Sequence, residues 1–231
     1  MPEPTKVRSA NTASGRSTKS PPSTPERVAE AITKGLQRRE YGVGQRLVEA
    51  DLTRRLGVGR STVREALKIL ASQGVVEIVP HRGAVIRGLS LDDADKLLGV
   101  LEVLTGLAAR LAATNIDQGG HREKFAAAAR PLIEPGEGND LQQILDQRAR
   151  FYQAMFDAAD SEDLDRAMPT WRAHLFRNQF YGLLTRGDLK AMVAEYRQIT
   201  AAILAGDAAK AESMARRHLR KSRERMLPHL R

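Results

Sequence analysis

Basic side chains recur at helical spacing in the first third of the chain. Arg60, Arg64 and Lys68 stand at positions i, i+4 and i+8, which places them on one face of a helix. Ser61 and Thr62 join Arg60 at the N-terminal end of that helix, where free N–H groups and the helix dipole favour phosphate. Arginine also bonds guanine edges bidentately in the major groove. A solvated helix face is the simpler interpretation for any one of these bases, but the set predicts contact with DNA.

A short β-hairpin is predicted directly after this helix. Residues 75–79 and 84–86 have β-forming composition and flank a turn that carries His81 and Arg82 and ends at Gly83. A basic hairpin tip of this kind could enter an adjacent groove or contact the DNA backbone.

Two earlier helices are needed to hold the basic helix in place. Thr24 followed by Pro25 predicts a helix start, and a glycine-rich break follows at about residue 41. A short second helix is then predicted to carry Leu47, Leu52 and Leu56 inward. The order helix, helix, turn, helix, hairpin is that of a winged helix-turn-helix.

The third helix is predicted to run from about Ser61 to Ser72 and to end near Gly74. Two caps are possible at its start: Ser61, or Thr62 in a capping box with Glu65. Its apolar stripe has the spacing i, i+3, i+4, i+7 and consists of Val63, Ala66, Leu67 and Leu70.

Charge divides the 231-residue chain into a basic front and a nearly neutral remainder. The chain has 37 Lys and Arg against 28 Asp and Glu, and the net charge is +3 over residues 1–24, +5 over 25–90 and +1 over 91–231. We expect a disordered basic tail at 1–24, a DNA-binding domain at 25–89 and a second domain at 90–231.

The second domain is predicted to be helical throughout, because Ala, Leu, Arg, Glu and Gln dominate and no convincing period-2 run occurs. Short loops between amphipathic helices predict an antiparallel bundle of six or seven helices, the count depending on a break near Pro169. The predicted helices span 91–115, 121–131, 140–159, 162–183, 188–205 and 208–226. The fold class is therefore mainly α, with a small β-hairpin wing.

The first module resembles the operator-binding domain of GntR-type bacterial transcription regulators. The resemblance rests on residues 44–68 (GQRLVEADLTRRLGVGRSTVREALK) and on the wing from Gly74 to Gly83. The later region resembles the FadR branch of that family, whose second domain is an all-helical effector-binding and dimerisation bundle. The resemblance covers roughly residues 25–228 and is strongest in the first module.

Specific DNA contacts follow from this resemblance. They are Arg60, Ser61, Thr62 and Arg64, with the wing at His81, Arg82 and Gly83. Gly59 departs from the usual Ser or Thr, which removes one hydroxyl that could contact phosphate, and Thr62 departs from the usual Pro. Some relatives have a DNA-contacting Arg where this chain has Ala50, and Arg54 or Arg55 could take its place.

Most members of the FadR branch hold a metal in the bundle, and the resemblance places the ligand positions at Arg148, Tyr152, Tyr196 and His218. Three of the four usual ligands are thereby replaced. Arg keeps its charge, and one His does not hold zinc, so we expect no metal and no other cofactor. Arg148 should instead favour an anionic group bound bidentately, with Tyr152 and Tyr196 as hydrogen-bond donors.

Leu101 makes the expected effector pocket more apolar than is usual in the family, where a polar Arg often stands at this position. We expect an effector with a carboxylate, phosphate or thioester head and an apolar body, such as an acyl or lipid-like anion. The alternative is that Tyr152, Tyr196 and His218 are packing residues in a bundle that senses nothing.

The sequence thus predicts a homodimeric transcription regulator that binds a near-palindromic double-stranded operator and responds to a small-molecule effector. An enzyme is the first alternative, but no P-loop, nucleophile elbow, zinc-protease or dinucleotide-binding motif occurs. An architectural protein without sequence preference is the second. Without cysteine, a signal peptide or a transmembrane span, we expect a cytoplasmic protein with no membrane partner.

Overall fold

The computed structural model describes residues 23–37, 40–80, 82–136 and 141–226. Nearly all of the predicted tail and His81 at the predicted wing tip lie outside this part of the chain. Within it the protein is mainly helical with one small antiparallel sheet, which confirms the predicted fold class.

The front of the chain folds into three helices and three short strands. They are α1 (Thr24–Gln37), β1 (Arg46–Leu47), α2 (Glu49–Leu56), α3 (Arg60–Ser72), β2 (Val76–Val79) and β3 (Gly83–Ile86). Helix α3 packs against α1, α2 and β2, and its whole predicted apolar stripe is buried. Three helices followed by a β-hairpin form a winged helix-turn-helix, and the face of α3 opposite its apolar stripe remains at the surface.

The wing contains one strand more than the sequence predicted. Strand β3 lies between β1 and β2, and the registers pair Arg46 with Val85 and Val79 with Gly83. The placement of Leu47 in the second helix was therefore wrong: Leu47 is buried in β1, and α2 begins two residues later. A two-residue strand gives too little alternation to detect in a sequence.

Neither predicted cap occurs at the start of α3. Gly59 is the N-cap residue, Arg60 is the first helical residue, and no side chain caps the helix. The glycine after the helix behaves as predicted, because Gly74 has a φ of 70°, the left-handed region that glycine favours.

The rear of the chain folds into seven α-helices in the described residues. They are α4 (Leu91–Asn115), α5 (His121–Ile133), α6 (Leu141–Ala159), α7 (Glu162–Ala167), α8 (Thr170–Phe180), α9 (Arg186–Leu204) and α10 (Ala208–Met226). The predicted break near Pro169 is present, since α7 ends before it and α8 begins directly after it. A single 3-10 turn, Tyr181–Leu183, follows α8.

Helix α4 is the central helix of the bundle and packs against α6, α9 and α10. A Cβ atom on Gly106 would lie 2.5 Å from Cγ of Arg216, so this glycine lets α10 approach α4 closely. On the same interface Glu102 accepts hydrogen bonds from Arg216 and Arg220.

The composition of α4 would also allow it to cross a membrane, with a mean hydropathy of 1.6 in its most apolar window. Half of that window is buried inside the molecule, and the core helix of a soluble protein meets the same criterion. Its apolar character is therefore weak evidence for a membrane span.

Candidate DNA interface and internal cavity

The N-terminal end of α3 presents polar groups to solvent. Arg60, Ser61 and Arg64 are exposed and Thr62 is half-buried. Because no side chain caps the helix, its first backbone N–H groups remain open to an external acceptor. A phosphate at this position would meet both these donors and the positive end of the helix dipole.

Acidic neighbours hold two of the three bases on this face. Nε of Arg64 donates to both carboxylate oxygens of Glu49, at 3.0 and 3.2 Å, and Nζ of Lys68 lies 2.9 Å from Glu65. Arg60 forms no ion pair within the described residues. The Arg64 pair is exposed, so it orients the guanidinium more than it stabilises the fold.

Arg46 joins this surface although the sequence analysis did not select it. A concave surface site of about 350 Å³ is lined by Arg46, Glu49, Arg60 and Gly83, among others, so strand β1 brings a further arginine beside the base of the wing. The sequence pattern that could have indicated this strand is the polar Arg46 followed by the apolar Leu47. In the structure the first is exposed and the second buried, as in a strand.

The remaining predicted DNA contacts lie at the same end of the module or beside it. Arg82 is exposed at the turn, and Gly83 has a φ of 75°, a conformation that a side chain would strain. Arg54 is exposed near the end of α2 and lies 3.4 Å from Asp51. His81 is outside the described residues.

The helical bundle contains a cavity of about 580 Å³ that is partly open to solvent. Three of the five predicted effector residues line it: Leu101, Arg148 and Tyr152. Tyr196 lines a second cavity of about 750 Å³ instead, and Arg148 borders both. His218 is fully buried and lines neither cavity.

Aromatic rings surround the guanidinium of Arg148. The residue is 7% exposed, its Nε donates to the hydroxyl of Tyr196, and its Cζ lies 4.6 Å from the ring centre of Tyr152 and 5.1 Å from that of Tyr181. Burial alone would lower the pKa of Arg148, but the tyrosines outweigh it and hold that pKa above its usual range. Arg148 is therefore a permanent buried cation at the wall of the cavity.

Arg177 is a second cation in this cavity and was not predicted. The residue is half-buried, and burial, and to a smaller extent Arg148, lower the pKa of Arg177 to about 10. The sequence pattern that could have indicated Arg177 is its spacing with Ala173 on α8 and with Tyr181 at the start of the following 3-10 turn, which stand at i, i+4 and i+8.

The imidazole of His218, which lines neither cavity, is held by the carboxylate of Glu195. Its Nδ1 lies 2.7 Å from Oε2 of Glu195, which also accepts from Nη1 of Arg225 at 3.2 Å. Burial lowers the pKa of His218, so the imidazole is neutral near pH 7 and we assign its proton to Nδ1. Nε2 then has a free lone pair and no hydrogen-bond partner in the described residues.

The donors around the family's metal position do not fit a divalent cation. One imidazole, two phenols and a guanidinium meet there, and zinc requires three or four nitrogen, sulfur or carboxylate ligands. The charge of Arg148 would repel a metal ion in addition.

Helix α8 connects the cavity to the first module. The side-chain amide of Gln179 accepts from the N–H of Leu89 at 2.9 Å and donates to its carbonyl at 2.8 Å. Leu89 lies in the segment between β3 and α4. Arg172, also on α8, lies 3.7 Å from Asp93, which in turn lies 3.6 Å from Arg87. The segment between the two modules is thus held by the helix that carries Arg177.

Two family models match the chain. The model of the FCD domain matches residues 96–221, which is more than half of the chain, and the model of bacterial regulatory proteins of the gntR family matches residues 24–86. The chain belongs to the GntR family of transcription regulators. Its helical bundle is an FCD domain, which confirms the resemblance drawn from the sequence.

Relatives of this GntR regulator have the same general role. A probable D-xylose utilization operon transcriptional repressor from Paenarthrobacter nicotinovorans is 27% identical over 194 residues, covering 83% of this chain and 84% of that protein. The uncharacterized HTH-type transcriptional regulator Rv0494 from Mycobacterium tuberculosis is 25% identical over 220 residues, covering 87% of this chain and 89% of that protein. These relatives are regulators rather than enzymes, which confirms the DNA-binding class of function.

Solved structures support the fold. McbR/YncC from E. coli matches with a TM-score of 0.76 at 18% identity, over 90% of this chain and 99% of that chain. A putative GntR regulator from Rhodococcus sp. RHA1 matches with a TM-score of 0.72 at 21% identity, over the same shares.

Proposed function

We propose that this GntR regulator binds a near-palindromic operator as a homodimer and that an anionic, partly apolar small molecule in the FCD domain controls binding. The observation that carries the DNA-binding site is the exposed, uncapped N-terminus of α3 beside Arg46 and the wing. Two copies related by a twofold axis would present two such helices to successive major grooves.

The proposed DNA contacts comprise the end of α3, the wing and the end of α2. They are Arg54, Arg60, Ser61, Thr62, Arg64, His81, Arg82 and Gly83. Phosphate contacts release counterions, so with on the order of 6–10 contacts the affinity should fall roughly 10³- to 10⁵-fold between about 50 and 200 mM salt.

Operator sequences selected from randomised duplexes test the DNA-binding proposal. The wild-type protein should retard the selected duplex and not a random one at physiological salt, and Arg64→Ala should weaken binding by about 1–3 kcal/mol if this arginine reads a base. Arg130→Ala is the matched control, because Arg130 is exposed on α5 and pairs only with Glu134 at its own helix end. Equal retardation of both duplexes would instead indicate a DNA-binding protein without sequence preference.

The exposed apolar face of α4 is the proposed dimer interface. Val100 is 50% exposed and Val103 is 53% exposed, and half-buried Leu107 continues the stripe at i, i+3 and i+7. Burying this stripe against the same stripe of a second copy is an isologous contact, the commonest way to form a dimer.

Light scattering of Val103→Glu tests the interface. A charge in the centre of an apolar contact should give monomers and weaken operator binding at the same protomer concentration. Arg130→Gln changes an exposed charge on α5, away from this stripe, and should remain dimeric. A Val103→Glu protein that remains dimeric would place the interface elsewhere.

The cavity around Arg148 is the proposed effector site. Leu101, Phe156, Met168 and Leu219 offer apolar walls, and Arg148 offers a cation that tyrosines orient but do not neutralise. The proposed effector residues are those of the sequence analysis, with Tyr196 and His218 supporting Arg148 from behind. The proposal includes no metal and no other cofactor.

Arg148→Gln tests the effector site directly. Small molecules that co-purify with the wild-type protein would be identified by mass spectrometry and added to the protein–operator complex. We expect Arg148→Gln to bind the operator normally and to lose the response to these molecules. A retained response would remove Arg148 from the effector site.

The proposed signal path runs through α8 from the cavity to the segment between the modules. An effector that contacts α8 would change the position of Gln179 and thus of Leu89, which leads into α4. Preferential binding to one arrangement by about 1–3 kcal/mol is sufficient for regulation. We retain the domain limits 25–89 and 90–231, the basic tail at 1–24 and a cytoplasmic location as parts of the proposal.

A further inference from the structure

Two guanidinium groups, those of Arg148 and Arg177, line the same cavity. Arg148 is buried, and Arg177 is half-buried. No ion pair joins either arginine to an acid in the described part of the chain, whereas most other arginines of the bundle have such a partner. Asp165 and Arg150 also line the cavity, but both are exposed, so water screens their charges.

The surrounding tyrosines do not supply the missing negative charge. Burial raises the pKa of Tyr181 and Tyr196, so both hydroxyls are neutral near pH 7. The hydroxyl of Tyr152 has no hydrogen-bond partner among the described residues and lies in the wall of the same cavity. The cavity therefore combines the hydroxyl of Tyr152 with two positive charges that have no ion-pair partner in the described residues.

We propose that the head group of the effector carries two negative charges, which Arg148 and Arg177 neutralise together. A singly charged carboxylate would leave one of the two cations of the cavity without compensation, and an uncompensated charge in a partly desolvated site is costly. A phosphate monoester and a dicarboxylate share the required chemistry. The apolar walls formed by Leu101, Phe156 and Leu219 would hold the body of the molecule.

This inference rests on the proposed effector site and narrows its ligand class. In many relatives a metal ion occupies this position. Here the permanent charges of two arginines would bind the anion instead, so binding would not depend on a metal.

Titration calorimetry with four hexyl compounds tests the inference on the full-length dimer. Hexyl phosphate and hexylmalonate carry two charges at about pH 8, whereas hexyl sulfate and hexanoate carry one. We expect the wild-type protein to bind the better of the two dianions about tenfold or more tightly than either monoanion, because one additional charge-assisted bond is worth about 1.4 kcal/mol or more. A comparison of the affinities for hexyl phosphate and hexylmalonate then shows which head-group geometry the site prefers.

Two substitutions test whether Arg177 neutralises the second negative charge of the ligand. Arg177→Gln should reduce dianion affinity to the level of the monoanions and leave the monoanions almost unchanged, and Arg177→Lys should keep part of the preference because it keeps the charge. Arg166→Gln is the control, since Arg166 is exposed on α7 and does not line the cavity. Circular dichroism would verify that each variant is folded.

The outcomes separate this inference from the effector proposal. Equal wild-type affinity for monoanions and dianions, or an Arg177→Gln protein that weakens both equally, would overturn the dianion while leaving an Arg148-dependent anion site intact. Binding of none of the four compounds would overturn both. A preference for dianions that Arg148→Gln leaves unchanged would place the anion site elsewhere in the protein.

Discussion

Replacing Arg177 by methionine should make the ligand-free protein more stable. The pKa of Arg177 is lowered from its usual value to about 10 because burial, first, and the charge of Arg148, second, disfavour its charged form. Each unit of pKa corresponds to about 1.4 kcal/mol, so the folded protein bears a cost of at most about 3 kcal/mol at neutral pH.

The direction follows from the proton affinity of the two states. The unfolded chain holds the arginine proton more tightly than the folded protein does, and at every pH well below about 10 both states are charged, so the full cost opposes folding. Methionine has a similar length, fills the same space and removes the charge. No hydrogen bond or ion pair of the Arg177 side chain occurs within the described residues to be lost with it.

Urea unfolding followed by circular dichroism measures the effect, at one protomer concentration and after removal of any bound ligand. We expect Arg177→Met to raise the free energy of unfolding by as much as about 3 kcal/mol, and Arg166→Met, an exposed control, to change it by less than about 0.5 kcal/mol. A dianionic ligand should reverse the order, because it stabilises only the protein that retains both cations. A ligand-free Arg177→Met protein that is less stable than the wild type by more than about 1 kcal/mol would refute the reasoning.

Three further measurements test other parts of the structure. Gln179→Ala leaves the buried N–H and carbonyl of Leu89 unpaired, so it should lower the free energy of unfolding by about 1–3 kcal/mol. It should also weaken the effector's influence on operator affinity more than the affinity itself. An unchanged effector response would exclude the signal path through α8 and Leu89. Burial opposes the charge of Glu195, but hydrogen bonds and charges from its partners, Arg225 among them, lower the pKa of Glu195 to about 2. The wild type should therefore lose stability as the pH falls from about 4.5 towards 2. Urea titrations of Glu195→Gln should not show this loss. Arg46→Ala should weaken binding to all duplexes alike and reduce the slope of affinity against salt by about one ion, whereas a changed sequence preference would show that Arg46 reads a base.

Local patterns were sufficient for most of the helices. Both limits of α4 and the start of α10 were predicted to the residue. The structure shows a capping box with Ser90 at the start of α4 and the left-handed Gly206 just before α10. Strand β1 was missed because it derives its stability from pairing with β3, far along the chain, and not from its own two residues. The start of α3 was missed because it has no side-chain cap, which is the property that the proposed DNA contact requires.

The cavity shows the same limit of sequence reasoning. Arg148 could be selected because the family resemblance identifies its position, and its contact with Tyr196 follows from that resemblance. Arg177 belongs to a helix outside the family's metal set, and only the folded bundle shows that it shares the cavity. The ion pairs of Glu195 likewise join positions 23 to 30 residues apart along the chain, which periodicity within one helix does not predict.

If the proposed effector site senses its ligand through two like charges, the binding energy could reach the DNA-binding module through α8. The cost of holding Arg177 charged is of the same order, about 1–3 kcal/mol, as a typical coupling between two sites, so its removal by a dianion is sufficient to shift a two-state equilibrium. Arg177 and Gln179 are two residues apart on α8, which places them on roughly opposite sides of the helix. One side faces the cavity and the other holds the main chain of Leu89, so a small rotation or shift of α8 towards the ligand would move the segment that carries the DNA-binding module. Regulation in this protein would then depend on relief of charge repulsion at one face of a single helix and would not require a metal ion.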